Sequence, residues 1–300
     1  MVKPHLVSAI CTPLTEDEDL HYEGLAIHLE HQLEGQIDGV LVAGTMGLLQ
    51  LLKDSTYEQL VKASAEYYRG QGELLIGVGD TSYERTKERI QLVNHEKVDG
   101  TVVLAPYFIK LSQRELCDYF VALANISRAP LFLYDLPQRT GTQITFETVA
   151  ELSRHPNIAG IKCSGELVHA RRVHDAFQSS SFRVLIAQPM CLDMLVGCGL
   201  WQHLDGIFSI SPQWARDTAD ASMLGDKEKG AAGVQQINEL INLLVKYDVF
   251  PTASFLLGKL GVPGNFLPRP LAGLTIDQEE KVMQEAIVQE LLSPTPESIV

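Results

Sequence analysis

Residues Ile158–Gly165 read Ile-Ala-Gly-Ile-Lys-Cys-Ser-Gly. A short apolar run gives way to small, turn-forming residues, with a single lysine just before the change. Such a run reads as a strand covered on both faces and ending at a turn. The same pattern recurs seven more times: LVSAICTP from Leu6, DGVLVAG from Asp38, ELLIGVG from Glu73, DGTVVLAP from Asp99, PLFLYDLP from Pro130, FRVLIAQP from Phe182 and DGIFSISP from Asp205. Between these runs lie segments such as YEGLAIHLEHQLE from Tyr22 and SQRELCDYFVALANI from Ser112, with apolar residues at three- and four-residue steps. Ser82 and Ser112 stand where N-caps belong, and Glu115 completes a capping box with Ser112.

A strand–helix repeat occupies roughly 25 to 35 residues, which is the spacing here. Eight units used once each predict an α/β fold, a closed (β/α)8 TIM barrel. The competing doubly wound nucleotide-binding sheet would open with a glycine-rich loop, whereas the first strand here runs into CTPLTEDED from Cys11. After Pro212 the strands stop. KGAAGVQQINELINLLVKY from Lys229, PTASFLLGKLG from Pro251 and TIDQEEKVMQEAIVQELL from Thr275 predict a C-terminal three-helix appendage. The expected organisation is a barrel over 1–228, a helical region over 229–292 and a loose tail over 293–300.

Composition narrows the function. Asp plus Glu number 38 against 24 Lys plus Arg, a net charge of −14, which repels nucleic acid. The five cysteines are scattered and form no CxxC, so a reducing compartment without a disulfide framework is expected. MVKPHLVSAICTP at the N-terminus is interrupted too soon for a signal peptide, and no apolar run approaches a membrane span. A cytoplasmic location without membrane attachment is the expectation.

In an α/β barrel the chemistry sits at the C-terminal ends of the strands. Those ends carry Thr12, Gly44, Thr45, Asp80, Tyr107, Tyr134, Arg139, Lys162, Gln188 and Ser209. No histidine and few carboxylates converge there, which argues against zinc or two-metal hydrolysis and against paired-carboxylate glycosidase chemistry. Neither a metal nor a cofactor is expected. What remains is a lysine, a tyrosine one strand earlier and a Gly-Thr turn. A neutral amine can attack a ketone, and an apolar site disfavours the charged form. The resulting iminium is an electron sink for making or breaking an adjacent C–C bond. A phenol can move the proton, while backbone amides and a threonine hydroxyl can hold a carboxylate.

Each residue also has a plainer reading. Lys162 could be a strand-end lysine reaching water, Tyr134 a rim aromatic and Gly44 and Gly47 simple turn residues. Arg139 could brace a loop or receive a second carboxylate. His21, His28 and His31 share one face of an outer helix and read as solvated side chains. Cys163 should face away from Lys162 as packing, and Asp80 has no evident partner.

The motifs together resemble the dihydrodipicolinate synthase / N-acetylneuraminate lyase family of class I pyruvate-dependent aldolases, over about Leu6 to Leu292. GTMGLLQLL from Gly44 corresponds to the family's G-[ST]-T-G-E loop, and YDLPQRTG from Tyr134 to its Y-N-x-P-x-R-T-G signature. GIKCSG from Gly160 matches the strand bearing the imine lysine, and FLPRPLAGL from Phe266 the C-terminal R-x-P-L segment. The resemblance implies Schiff-base chemistry on pyruvate or a 2-keto(-3-deoxy) acid, with Lys162 as the imine lysine, Tyr134 as proton shuttle and Thr45 as the hydroxyl that positions the carboxylate. Gly44, Met46, Phe108, Arg139, Gln188 and Ser209 would contact substrate, Arg139 through a second carboxylate. A homo-oligomer, dimer or tetramer, is also implied.

The departures are specific. Met46 and Leu48 replace the second hydroxyl and the acid of the T-G-E loop. Phe108 replaces a tyrosine that family synthases donate to a neighbour's site and cannot relay a proton, while Tyr107 should point the other way. IAQPM from Ile186 stands where G-D-[DE] is common. Three functions follow as expectations: an aldolase or dehydratase on a 2-keto-3-deoxy acid, a 4-hydroxy-tetrahydrodipicolinate synthase condensing pyruvate with aspartate semialdehyde, or a non-catalytic barrel that keeps a ligand.

Overall fold

The computed structural model describes residues 3–293, so the expected tail beyond Ser293 lies outside the described residues. The chain runs β1 (His5–Ala9), α1 (Tyr22–Glu34), β2 (Gly39–Val42), α2 (Asp54–Tyr67), β3 (Glu73–Gly77), α3 (Tyr83–Val93), β4 (Gly100–Leu104) and α4 (Gln113–Ile126). It continues through β5 (Leu131–Asp135), α5 (Pro137–Thr140), α6 (Phe146–Leu152), β6 (Ile158–Cys163), α7 (Leu167–Phe177), β7 (Arg183–Ile186), α8 (Leu192–Gly197) and β8 (Gln202–Asp205). Then follow α9 (Pro212–Met223), α10 (Lys227–Tyr247), α11 (Val249–Lys259), α12 (Ile276–Gln284) and α13 (Ala286–Leu291). All eight strands are parallel and hydrogen-bond in chain order, β8 closing on β1. The expected barrel is what forms.

Alternation along the strands divides two cores. Val7, Leu41, Leu75, Val102, Phe132, Leu185 and Leu204 fill the barrel, while their strand neighbours pack against the helices. The N-terminal end is closed by ions. Arg183 pairs with Glu73, and His5 Nε2 lies 2.8 Å from the same carboxylate. Burial pushes the Glu73 carboxyl up, but hydrogen bonds from His5 and Arg183 outweigh it and hold the group at about 2. Ser82 caps α3, and Ser112 with Glu115 forms the expected capping box on α4.

Four expectations need correction. The eighth strand is Gln202–Asp205, not the run beginning at Asp205, and Ile207–Ser209 is a 3₁₀ turn. The strand escapes an apolar reading because it is Gln-His-Leu-Asp, with buried His203 bonding through Nε2 to the Leu200 carbonyl at 2.8 Å. The appendage has four helices after α9, because the predicted third helix breaks at Glu285, whose backbone is extended. α11 begins before Pro251, which sits in its first turn where a missing N–H is harmless. Finally, the α1 histidines are not solvated. His21 caps the helix through Nδ1, which accepts from the Gly24 amide at 3.0 Å. His28 is wholly buried edge-on to Phe266, and His31 is largely covered.

α1 is covered because the C-terminal segment crosses it: Ile27 packs with Cys11, Leu257, Val262 and Phe266. Among the described residues no single helix is long and apolar enough to cross a membrane. α10 and α11, which meet at a sharp bend, instead supply Ile237, Leu240, Leu243 and Leu256 to a core shared with Phe208 and Ala215.

Burial without a hydrogen bond to either ring nitrogen holds His28 neutral, its pKa lowered from 6.5 to about 3. The unfolded chain therefore binds the extra proton across that interval, and stability falls as pH drops through it. His28→Leu removes this liability. Its unfolding free energy in denaturant melts should gain on wild type progressively as pH falls from about 6.5 toward 4. A difference independent of pH would contradict the assignment.

Candidate active site

The site begins with register. At the start of β5 and β6, Leu131 pairs with Ile158, but the next pair is Phe132 with Gly160. β6 thus carries one extra residue, and the shift brings Tyr134 opposite Lys162 and Asp135 opposite Cys163. Lys162 and Tyr134 face into the barrel mouth, while Cys163 packs with the helix-facing core as expected. Gly160 permits this arrangement. A Cβ there would overlap the Arg183 carbonyl of β7 and meet Phe132 ring carbons at 2.9 Å.

Lys162 is 4% exposed, and its Nζ donates to the Tyr134 hydroxyl at 3.0 Å. The ammonium position also lies 4.2 Å from the Tyr134 ring centroid. Thr45 Oγ1 lies 3.2 Å from the same hydroxyl, so the three residues form one hydrogen-bonded chain. Thr45 is held in a strained loop. Ala43 and Leu48 both adopt left-handed backbone, at φ 54° and 52°, a conformation that costs a non-glycine residue about 1–2 kcal/mol. Thr12, buried below, donates to the Gly47 carbonyl at 2.8 Å and fixes the turn. Between the strained residues, the amides of Thr45, Met46 and Gly47 have no acceptor among the described residues.

Above this chain lies a cavity of about 350 Å³. Its polar lining is Thr45, Tyr134, Arg139, Lys162, Ser164, Gln188 and Asp205; Met46 and Leu136 join Ile241, Leu244 and Val245 of α10 as its apolar wall. Gln188 is fixed by donating to the Gly165 carbonyl at 2.6 Å. Arg139 is exposed on the short helix α5, and its guanidinium has no hydrogen bond or ion pair among the described residues, so the bracing role finds no partner. Met46 lies against Gly206, where a Cβ would overlap its side chain. Its apolar chain bridges the barrel core and the core under the C-terminal helices.

Three expected site residues stay outside. Gly44 shapes the loop and borders a small void beneath it. Ser209 is buried behind the mouth, its hydroxyl donating to the Gly206 carbonyl at 2.7 Å. Phe108 is 92% exposed at φ 76° and lies off this chain's cavity, whereas Tyr107 turns toward the barrel core. Asp80 is not without partners, since it pairs with Arg85 at 2.6 Å and Arg89 at 3.3 Å. Burial raises its carboxyl, but the Arg85 hydrogen bond and the other donors leave it below its ordinary value.

Sequence reasoning missed Asp205, the last residue of β8. Burial pushes its carboxyl up, opposed by the charge of Lys162 and by backbone amides. The mouth also backs onto Asp135, whose burial lifts its carboxyl to about 6 despite a bond from the Ile144 amide. Its Oδ2 is 3.9 Å from His169 Nε2. Among the described residues no group of three or more His, Cys, Asp or Glu could hold a metal.

A model of the dihydrodipicolinate synthetase family matches residues 4–290. The chain belongs to that family. A 4-hydroxy-tetrahydrodipicolinate synthase of Xanthomonas axonopodis pv. citri is 28% identical over 296 residues, 96% of each chain. The synthase of Stenotrophomonas maltophilia is 32% identical over 206 residues, 68% of each. Among solved structures, the Escherichia coli K12 prophage protein YagE, a family member in complex with pyruvate, superposes with TM-score 0.87 at 22% identity, covering 97% of this chain and 99% of that one. A 2-keto-3-deoxygluconate aldolase variant from Sulfolobus solfataricus gives 0.86 at 20% identity, covering 96% of each chain. Those two likenesses concern the fold. By reaction class, family membership makes this a class I, Schiff-base aldolase or lyase acting on small keto acids.

The Gly160 argument predicts a sharp local effect. Gly160→Ala should lower unfolding stability by about 1–3 kcal/mol, the usual cost of overpacking, because the methyl meets backbone rather than a yielding side chain. Denaturant melts check this, and an unchanged midpoint would mean β6 and β7 can separate freely.

Proposed function

We propose that this chain forms an imine between Lys162 Nζ and the C2 carbonyl of pyruvate or a related 2-keto acid, and makes or breaks a C–C bond at the adjacent carbon. The observation that carries the reading is the 3.0 Å bond between Lys162 Nζ and the Tyr134 hydroxyl beneath a largely apolar cavity. The amine attacks C2, and the carbinolamine loses its oxygen as water, with Tyr134 carrying the proton. The C=N⁺ bond then accepts the electron pair released at C3. In condensation a proton leaves C3, the enamine attacks an aldehyde carbon, and the new alkoxide takes a proton. In cleavage the C4 hydroxyl gives up its proton, the C3–C4 bond breaks, the aldehyde departs and the enamine takes a proton at C3. In both directions water then adds to the iminium carbon and frees the keto acid and the lysine amine. Thr45 extends the proton path, and the unpaired amides of residues 45–47 receive the substrate carboxylate.

For the second partner, the reading that fits this cavity is aldol chemistry on a 2-keto-3-deoxy acid. Its support is the apolar wall built by Met46, Ile241, Leu244 and Val245, with Met46 standing where the family loop would carry a hydroxyl. One observation favours condensation with aspartate semialdehyde instead: the free guanidinium of Arg139 at the cavity edge. The curated relatives named above carry that synthase's name.

Incubation with pyruvate and borohydride should give a covalent adduct in the intact mass, lost in Lys162→Ala. Failure to trap pyruvate or any other 2-keto acid would sink the imine reading in favour of a binding barrel. A screen of aspartate semialdehyde plus pyruvate against 2-keto-3-deoxy acids separates the two substrate readings. Arg139→Ala should reduce kcat/KM by roughly tenfold or more for whichever partner carries a second carboxylate, the effect of removing a charge-assisted bond. Unchanged kinetics would return Arg139 to a structural role.

A further inference from the structure

The cavity holds three side chains of formal charge, Lys162, Arg139 and Asp205. The proposed chemistry employs the lysine and one substrate reading employs the arginine, but neither gives the aspartate a task. Asp205 sits where β8 ends, and its Oδ1 accepts from the Ile207 amide at 3.0 Å. No side chain donates to it, and no lysine or arginine lies within ion-pair distance among the described residues. The Ile207 and Gly206 amides act on the carboxylate locally, and two amides leave it with accepting capacity on a wall whose other members are largely apolar. A half-buried acceptor with spare capacity favours a ligand that brings its own donor.

We propose that Asp205 is a specificity-determining residue: it accepts a hydrogen bond from a hydroxyl on the aldehyde partner of the keto acid and disfavours partners carrying a carboxylate there. This inference rests on the imine reading and adds the chemistry of the second partner. A hydroxyl beside a carboxylate gains a charge-assisted bond, whereas a second carboxylate in the same low-dielectric wall meets like charge. Arg139 offers the opposite preference from the α5 side, so the cavity has two electrostatically distinct margins. The partner class that suits both the apolar wall and Asp205 is a short neutral hydroxyaldehyde. Met46 packs on Gly206 beside the aspartate, and the Ile207 amide bond to Oδ1 holds the carboxylate in place.

The test compares wild type with Asp205→Asn, which keeps an acceptor for the Ile207 amide while removing the charge. Pyruvate consumption is followed with glyceraldehyde, propanal or succinate semialdehyde as partner, and pyruvate trapping by borohydride is measured in parallel. Asp205→Asn should still trap pyruvate. Its kcat/KM ratio for glyceraldehyde over succinate semialdehyde should fall about tenfold or more, through KM, with propanal little changed. Asp205→Ser, also a good local cap, should move the ratio in the same direction and serves if the asparagine variant melts early. If the ratio holds within about twofold in both variants while pyruvate is trapped, Asp205 is a cap and the proposal falls. It also falls if wild type traps pyruvate yet consumes none of the three aldehydes. A wild type that traps no 2-keto acid overturns the imine reading itself, a separate outcome.

Discussion

Everything at the barrel mouth depends on Tyr134 lying opposite Lys162. Side chains alternate across a strand, so slipping β6 by one position would present Ile161 or Cys163 to the tyrosine and bury the lysine among helices. The extra residue near Ala159 prevents that slip, and Gly160 lets the irregular stretch close on its neighbours. At the far end, Glu73, Arg183 and His5 tie the starts of three strands together. Removing Arg183 would take the guanidinium from Glu73 and leave that carboxylate only its bond from His5, a loss more costly than the pair is favourable. The barrel is thus pinned ionically below and by strand register above, and the hydrogen-bonded chain Lys162–Tyr134–Thr45 follows from both.

The C-terminal helices complete the site rather than decorate it. Ile241, Leu244 and Val245 of α10 form a wall of the cavity, and Met46 joins their core to that of the barrel. A polar residue at 46 could not fill that junction without an unpaired group in apolar surroundings. The departure at Met46 therefore changes two things at once. It puts an apolar side chain where the family pattern has a hydroxyl, and it couples the Gly44–Leu48 loop to α10 through packing.

What the sequence discloses tracks what is periodic or local. Eight apolar runs, the caps at Ser82 and Ser112 and the inward lysine with outward Cys163 are all consequences of short-range pattern. The misreadings involve contacts that only the folded chain brings about. His28 looks solvated until the segment carrying Phe266 crosses it, and Asp80 looks alone until α3 brings Arg85 and Arg89 to it. The Asp-Gly pairs are more instructive. Asp38 and Asp99 precede β2 and β4, where their carboxylates accept the Leu6 and Leu74 amides of neighbouring strands. Asp205 has the same neighbour in sequence and stands at the opposite end of its strand. Identical dipeptides serve the barrel's floor and its mouth, and only strand register separates them. Taking the run that begins at Asp205 as the eighth strand displaced the strand end to Ser209 and hid a carboxylate.

That contrast divides the site into two kinds of residue. Lys162, Tyr134 and Thr45 are restrained by ladder register, a strained loop and one another's hydrogen bonds. The α5 turn is equally fixed in backbone: Arg139 and Thr140 amides bond to the Leu136 carbonyl at 3.0 Å, and Asp135 grips the Ile144 amide at 2.9 Å behind it. The Arg139 guanidinium, however, is left free of protein partners among the described residues. Asp205 likewise has a fixed backbone and an underused carboxylate. Imine chemistry demands near-fixed geometry at the reacting atoms, while partner choice needs only suitable charge on a firm support. The family's shared reaction step and this chain's distinctive polar company can therefore change independently, because different physical restraints hold them.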